Sequence, residues 1–338
     1  MVNTIDRLDQ SKLHAAPASG LRIAALGGGH GLPVVLRALK PFTENITAIV
    51  SMADDGGSSG RLRRDMGVLP PGDLRNNIAA LADDEALMTQ LFQYRFDDTL
   101  EGHSLGNLLI TALATITGSI DKALVAAGHV LAIHGQVLPA TLQNVTLGAD
   151  MRTADGQIER VLGESNIPLA RGVIERIFLQ PGNVRAFPPA IQAILSADLI
   201  VFGPGSLYTS ILPTVLISDL ANAIRAASAS CVYVCNIATQ EGETTGFSVA
   251  DHVTALETYL GRDFIDTVLY NDTYPQLDST HARTRYVNFD DSDRARLEHY
   301  TLFAADLTDA EHPWRHNPQR LAEALLRLAE PVARFRKR

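Results

Sequence analysis

The sequence predicts a doubly wound α/β fold on a mainly parallel sheet, with a helix-rich and β-hairpin insertion in its middle. Three observations carry that expectation. Apolar runs of strand length recur, and they are apolar throughout instead of alternating, the pattern of strands covered on both faces. The runs alternate with stretches of helical character, as crossover-connected parallel strands require. At least four runs end in glycine-rich, polar loops, which such a sheet places at its ligand-binding edge.

In chain order, MVNTIDRLDQSKLHAAPASG at 1–20 mixes charge with small residues and has no continuous apolar core. It reads as a mobile tail and not as a secretory signal. LRIAALGGG at 21–29 is the first strand, LPVVLRALK its helix and ITAIVSM the second strand. The texture then changes. GDLRNNIAALAD, SLGNLLITALATIT and SIDKALVAAGHVLAI read as helices. NVTLGADMRTADGQIERVLGES reads as an antiparallel hairpin turning at ADG. Residues 73–180 are thus expected to form a lobe on the sheet, not an independent domain. ADLIVFGPG, SCVYVCNI and DTVLYND are later strands, separated by the helices SDLANAIRAA and VADHVTALETYL. The last helix, in RHNPQRLAEALLRLAE, takes Asn317 as N-cap and Pro318 as its first residue. The expected organisation is one α/β domain over 21–330, between the 1–20 tail and a basic tail at 331–338.

Bulk properties narrow the function. The 338-residue chain carries a net charge of −9 and a pI near 5.5. That argues against sequence-independent nucleic-acid binding, where phosphate neutralisation dominates affinity. No run approaches the ~18 apolar residues of a membrane span. Cys231 and Cys235 in CVYVCNI would lie roughly 13 Å apart along a strand at ~3.3 Å per residue. That is too far for a disulfide, so they read as small buried hydrophobes, and the cytoplasm is the expected compartment.

The chemistry sits in the loops. LGGGHG brings Gly27, Gly28, Gly29, His30 and Gly31 to the end of the first strand and the start of a helix. Glycines let backbone approach a ligand, and a helix N-terminus offers N–H groups to an anion. The spacing departs from the dinucleotide fingerprint because Leu32 stands in the last glycine's place, so a phosphate-approach loop and a plain tight turn both stay open. ADDGGSSGRLRR follows the second strand. Asp54 and Asp55 are candidates for ribose hydroxyls or a Mg²⁺ ion, since Mg²⁺ commonly uses one or two carboxylates plus substrate phosphates. Gly56, Gly57 and Ser58 permit close approach, and Arg61 is the candidate phosphate partner. PPGDLRNN offers Asp73 as N-cap, with Arg75 and Asn76 in the first turn. An arginine there opposes the helix dipole unless it faces an anion or an acid. GHSLGNLL sets His103, Ser104 and Asn107 at a helix start, Ser104 as a cap and Asn107 inside the first turn. FGPGSLYTS adds Gly203, Gly205, Ser206, Tyr208 and Thr209, and NIATQEGETTGF adds Thr239 and Gln240.

Together, GGGHG, ADDGGSSGRLR, PPGDLRN, GHSLGNLL, FGPGSLYTSILP and TQEGETTGF resemble the gluconeogenesis-factor family, a bacterial branch of the CofD-like (2-phospho-L-lactate transferase-like) proteins. The likeness runs from about Arg22 to the final helix. His30, Glu241 and Asn317 replace a hydroxyl residue, a proline and an aspartate of the usual pattern. The resemblance implies a Rossmann-like fold, binding of UDP-sugars such as UDP-N-acetylglucosamine, and a role in cell shape and envelope synthesis during gluconeogenic growth. It further implies regulatory protein partners, a Ser/Thr kinase among them, and a homodimer. By motif context it assigns ligand contacts to Tyr286 in RTRYVNF and Arg315 in WRHNP. No organic cofactor is expected.

Two classes of function stay open. One is a UDP-sugar-sensing regulator without turnover, favoured by the lack of a nucleophile elbow or H-E-x-x-H cluster. The other is a Mg²⁺-dependent transferase of phosphorus-containing groups, with Asp54, Asp55 and Asp73 as its catalytic acids and Arg61 at the developing charge.

Overall fold

The computed structural model describes residues 20–82, 87–97, 100–262, 264–277 and 284–336. The tail expected over 1–20 lies, but for Gly20, outside them.

The first unit is β1 (Ile23–Gly27), α1 (Leu32–Leu39) and β2 (Ile46–Val50). Helices α2 (Gly57–Met66), α3 (Gly72–Leu81), α4 (Leu87–Gln93), α5 (Leu105–Thr117) and α6 (Ile120–Val130) follow. Strand β3 (Gln136–Pro139) precedes β4 (Thr146–Arg152), β5 (Ile158–Leu162) and β6 (Val173–Gln180). The second half runs α7 (Pro188–Ser196), β7 (Leu199–Phe202), α8 (Leu212–Val215), α9 (Ser218–Ala226), β8 (Ser230–Val234), α10 (Val249–Leu260) and β9 (Thr267–Asn271). It closes with α11 (Asp291–Arg296), β10 (Thr301–Ala305) and α12 (Pro318–Arg336).

Seven strands form one sheet in the order β10-β9-β8-β7-β1-β2-β3, and every neighbouring pair is parallel. All residues of β1, β2, β7 and β9 are buried, which is why these strands are apolar apart from Thr47, Thr267 and Asn271. Helices α1, α3 and α12 pack together, as do α7 and α9. The chain leaves β1 toward β2 on one side and resumes at β7 on the other. The boundary between β1 and β7 is thus the topological switch point of a Rossmann-like sheet, where loops diverge and a crevice opens.

The ADG hairpin forms as β4 and β5, but β6 joins β4 to make a separate three-stranded antiparallel sheet. Strand β3, inside the stretch read as a lobe, is instead the edge strand of the main sheet beside β2. The insertion is therefore two pieces, a helical one before β3 and a β one after it. The basic tail is not a tail up to Arg336, because α12 continues to that residue. Its start is as expected: Asn317 Oδ1 accepts from the N–H groups of Gln319 and Arg320. Cys231 and Cys235 are free and buried. No single helix among the described residues is long and apolar enough to cross a membrane.

Candidate functional site

The C-terminal ends of β1, β2, β7 and β8 frame a cleft of about 570 Å³ at the switch point. Its walls include Gly29, His30 and Gly31 from the first loop, and Asp54, Gly56, Gly57, Ser58 and Ser59 from the second. Asp73, Arg75 and Asn76 enter from α3, and Asn107 from α5. Gly205, Ser206 and Gln240 come from the loops after β7 and β8. The glycine at 31 is required by packing: a Cβ there would lie 2.1 Å from the Pro204 carbonyl oxygen, so the loops after β1 and β7 touch backbone to backbone.

The acids divide. Asp54 faces the cleft, where it accepts from the Gly56 N–H at 3.0 Å and from Ser59. Asp55 turns away and accepts from the Ser165 N–H at 2.9 Å, tying the second loop to the β4–β6 lobe. Asp73 is not the N-cap of α3. Pro71 occupies that position, and the Asp73 carboxylate accepts from the Gly29 N–H at 2.8 Å instead. The true partner of Asp54 across the cleft is thus Asp73, joined by Glu164 at the head of the 3₁₀ turn Glu164–Leu169. Burial first, and then the Asp54 charge, pushes Asp73 up to about 7. Burial, then Asp54 and Asp73, pushes Glu164 up to about 8, and Asp54 is raised as well, by burial. Among the described residues, no group of three or more His, Cys, Asp or Glu side chains is set to hold a metal ion by itself.

The cationic wall is Arg75 and Arg95. Arg75 is buried, donating to Ser104 Oγ at 2.5 Å and Asn76 Oδ1 at 2.8 Å, while its Nε is buried without a partner among the described residues. Burial and then Arg95 lower its pKa to about 10, so it stays charged at neutrality. Ser104 caps α5 as expected and accepts from the Asn107 N–H. Asn107 donates to Ser58 Oγ at 3.0 Å, which also meets His103 Nδ1 at 2.8 Å, and the Asn107 Oδ1 is a buried acceptor with no partner among the described residues. His30 stands at the rim. Crowding by the cleft walls, then the field of Arg315, holds its pKa below the ordinary imidazole value.

Several expected residues do not reach the cleft. Arg61 points outward and donates to the Glu101 carbonyl, so its phosphate role is not supported by its position. Tyr208 and Thr209 are buried behind the wall, where the Tyr208 N–H and the Thr209 hydroxyl both donate to Glu243. Thr239 donates to the Arg285 carbonyl. Tyr286 donates to the Pro275 carbonyl and packs edge-to-face on Tyr274 at 5.5 Å. Gly27, Gly28 and Gly203 shape the turns without lining the cleft. Arg315 is exposed, and only its charge is felt at His30. Sequence reading missed Ser59, Arg95, Glu164, Ser210 and Asn236. Asn236, directly after an apolar strand, carried a usable signal. Arg95 and Glu164 carried none, because the fold alone brings them in.

Comparison with known proteins identifies the chain's relatives. The family model described as 2-phospho-L-lactate transferase CofD matches residues 23–308. A Nostoc sp. relative is 49% identical over 331 residues, covering 95% of this chain and 71% of that protein. The gluconeogenesis factor of Listeria innocua is 44% identical over 308 residues, covering 90% of this chain and 94% of its own. A crystal structure of a UPF0052-family protein from Bacillus halodurans superposes with a TM-score of 0.83 at 40% identity, covering 90% of this chain and 98% of that one. The chain belongs to the gluconeogenesis-factor family of CofD-like proteins.

Proposed function

We propose that the cleft binds a UDP-sugar, with UDP-N-acetylglucosamine as the leading candidate. In this reading the protein is a cytoplasmic regulator of cell shape and envelope synthesis under gluconeogenic growth. The observation that carries the binding step is the pair of orphaned polar atoms in one cleft wall, Arg75 Nε and Asn107 Oδ1. Buried polar atoms are normally paired, and a ligand with phosphate and polar groups supplies the missing partners. The glycine turn after β1, at the start of α1, also lines the cleft, and backbone there can approach a phosphate closely.

A second reading, a Mg²⁺-dependent transferase of phosphorus-containing groups, is favoured by the convergence of Asp54 and Asp73. Their hard oxygen donors fit a small divalent cation that keeps waters and ligand phosphates for its remaining positions. Asp55 does not fit that role, since its carboxylate is turned to Ser165. When bound, the ion would supply charge neutralisation at the phosphates. Around it, Arg75 would hold phosphate, and Asp73 would keep the Gly29 turn in place.

Isothermal calorimetry with UDP-N-acetylglucosamine, with and without Mg²⁺, followed by mass analysis of the recovered ligand, separates the two. Saturable binding of intact ligand supports the regulator. Cleaved ligand supports the transferase. No binding at millimolar ligand refutes the UDP-sugar reading.

A further inference from the structure

We propose that Glu164 is a specificity-determining residue of the cleft, hydrogen-bonding the sugar hydroxyls of a nucleotide sugar whose phosphates lie toward Arg75 and Arg95. The proposal deepens the UDP-sugar reading and rests on it.

Glu164 is delivered by a strap. The turn Glu164–Leu169 leaves the β4–β6 lobe and crosses the sheet edge. Its near end is held by the Ser165 N–H on Asp55 at 2.9 Å. Its far end lies on the loop after β8, where a Cβ at Gly242 would fall 2.1 Å from the Pro168 carbonyl oxygen. A segment clamped against the loops of both halves of the sheet holds Glu164 in the cleft wall.

The cleft is also polarised. The charges that act most strongly on Glu164 are Asp54, Asp73, Asp55 and Glu243, all acidic. Arg75 acts on Asp54 and Asp73 as well as on His30, and neither Arg75 nor Arg95 is among the charges that weigh on Glu164. A phosphate beside Glu164 would face these acids and no arginine, so the anionic part of a ligand belongs nearer Arg75 and Arg95. A neutral, hydroxyl-rich part suits the acidic end, where a carboxyl group accepts hydrogen bonds and, once protonated, donates one. Asn107, a residue 99% removed from solvent, lies beside Arg75 through their shared partner Ser104, and its Oδ1, unpartnered among the described residues, calls for a donor from the part of the ligand between the two ends.

The test is calorimetry of wild type, Glu164→Ala and Glu164→Gln with UDP and with UDP-N-acetylglucosamine. Glu164→Ala is expected to weaken UDP-N-acetylglucosamine about tenfold, the worth of roughly one to two hydrogen bonds, while UDP affinity stays within about twofold. Glu164→Gln, which keeps an acceptor and a donor, recovers most of the discrimination. Asp55→Ala loosens the strap and shifts the UDP to UDP-sugar ratio in the same direction, which keeps the idea testable if Glu164→Ala fails to fold. An unchanged ratio in Glu164→Ala overturns the proposal. So does a parallel loss of UDP and UDP-sugar, which would assign Glu164 to the phosphates or their counter-ion. Wild type that binds neither compound removes the reading beneath the proposal, and that result is visible before any variant is made.

Discussion

The cleft acids make stability depend on pH in a direction opposite to that of an ordinary paired carboxylate. Asp73 is pushed from 3.8 to about 7, first by burial and then by Asp54. Between those values the unfolded chain has released its proton and the folded protein has kept it. Stability is therefore full below about pH 4 and is lost as pH rises through 7. At 1.36 kcal/mol per pH unit, roughly three units give a ceiling on the order of 4 kcal/mol. Solvent reaches Asp73 from the cleft, so a smaller value is expected. Asp73→Asn removes the ionisation but keeps an acceptor for the Gly29 N–H, now met by the carboxylate at 2.8 Å. Urea unfolding of both proteins at pH 5 and pH 8, without nucleotide or divalent cation, measures the effect. Asp73→Asn should already lead by roughly a third of its full advantage at pH 5, about one unit above the unfolded value, and by all of it at pH 8. A variant less stable than wild type at pH 8 would refute the reasoning. It would mean that Asp73 is ionised and that Arg75 more than compensates its burial.

Three further outcomes are expected. Gly31→Ala should cost about 2–3 kcal/mol and lower Tm by several degrees, because its Cβ has no room beside Pro204 and Gly205. Gly57→Ala has open space around it and only a φ of +43° to bear, so about 1 kcal/mol is expected; calorimetric melting should rank the two in that order. Burial pushes the Cys231 and Cys235 thiols up to about 12, so an aqueous disulfide reagent at pH 8 should modify neither until denaturant is added.

The main sheet was legible because burial on both faces leaves a local mark. A strand such as Ile46–Val50 has no solvent face, so its positions are apolar save Thr47, whose hydroxyl accepts from Gln136, and no partner need be known to see the pattern. The strands that escaped notice lack that mark. β3 is four residues long, at the edge of the sheet, and begins with an exposed glutamine. β10 has no fully buried residue. Helix starts were readable where a side chain makes the cap, as Ser104 and Asn317 do, and misread where it does not. Asp73 looks like a cap because aspartate caps helices, yet its carboxylate serves a loop 44 residues earlier in the chain.

The same logic explains the paired acids. Two adjacent carboxylates on a loop look like one site, but nothing in a loop obliges neighbouring side chains to share a face. Here one of the pair leaves the cleft, and what it does there depends on the lobe. Asp54 stays, and Asp55 holds the strap that returns a different acid, Glu164, to the cleft. The acidic character that the motif announces is thus present, but it is assembled from three segments distant in sequence. The arginines follow suit. Arg61, nearest the acids in sequence, is used by Glu101 on the outside, while Arg75, from the next helix, takes the inner wall. A motif in this fold reports which strand end faces the ligand. Which of its side chains does so is decided by the elements that cover that edge. Releasing the strap should therefore alter ligand selectivity more than it alters the stability of the sheet.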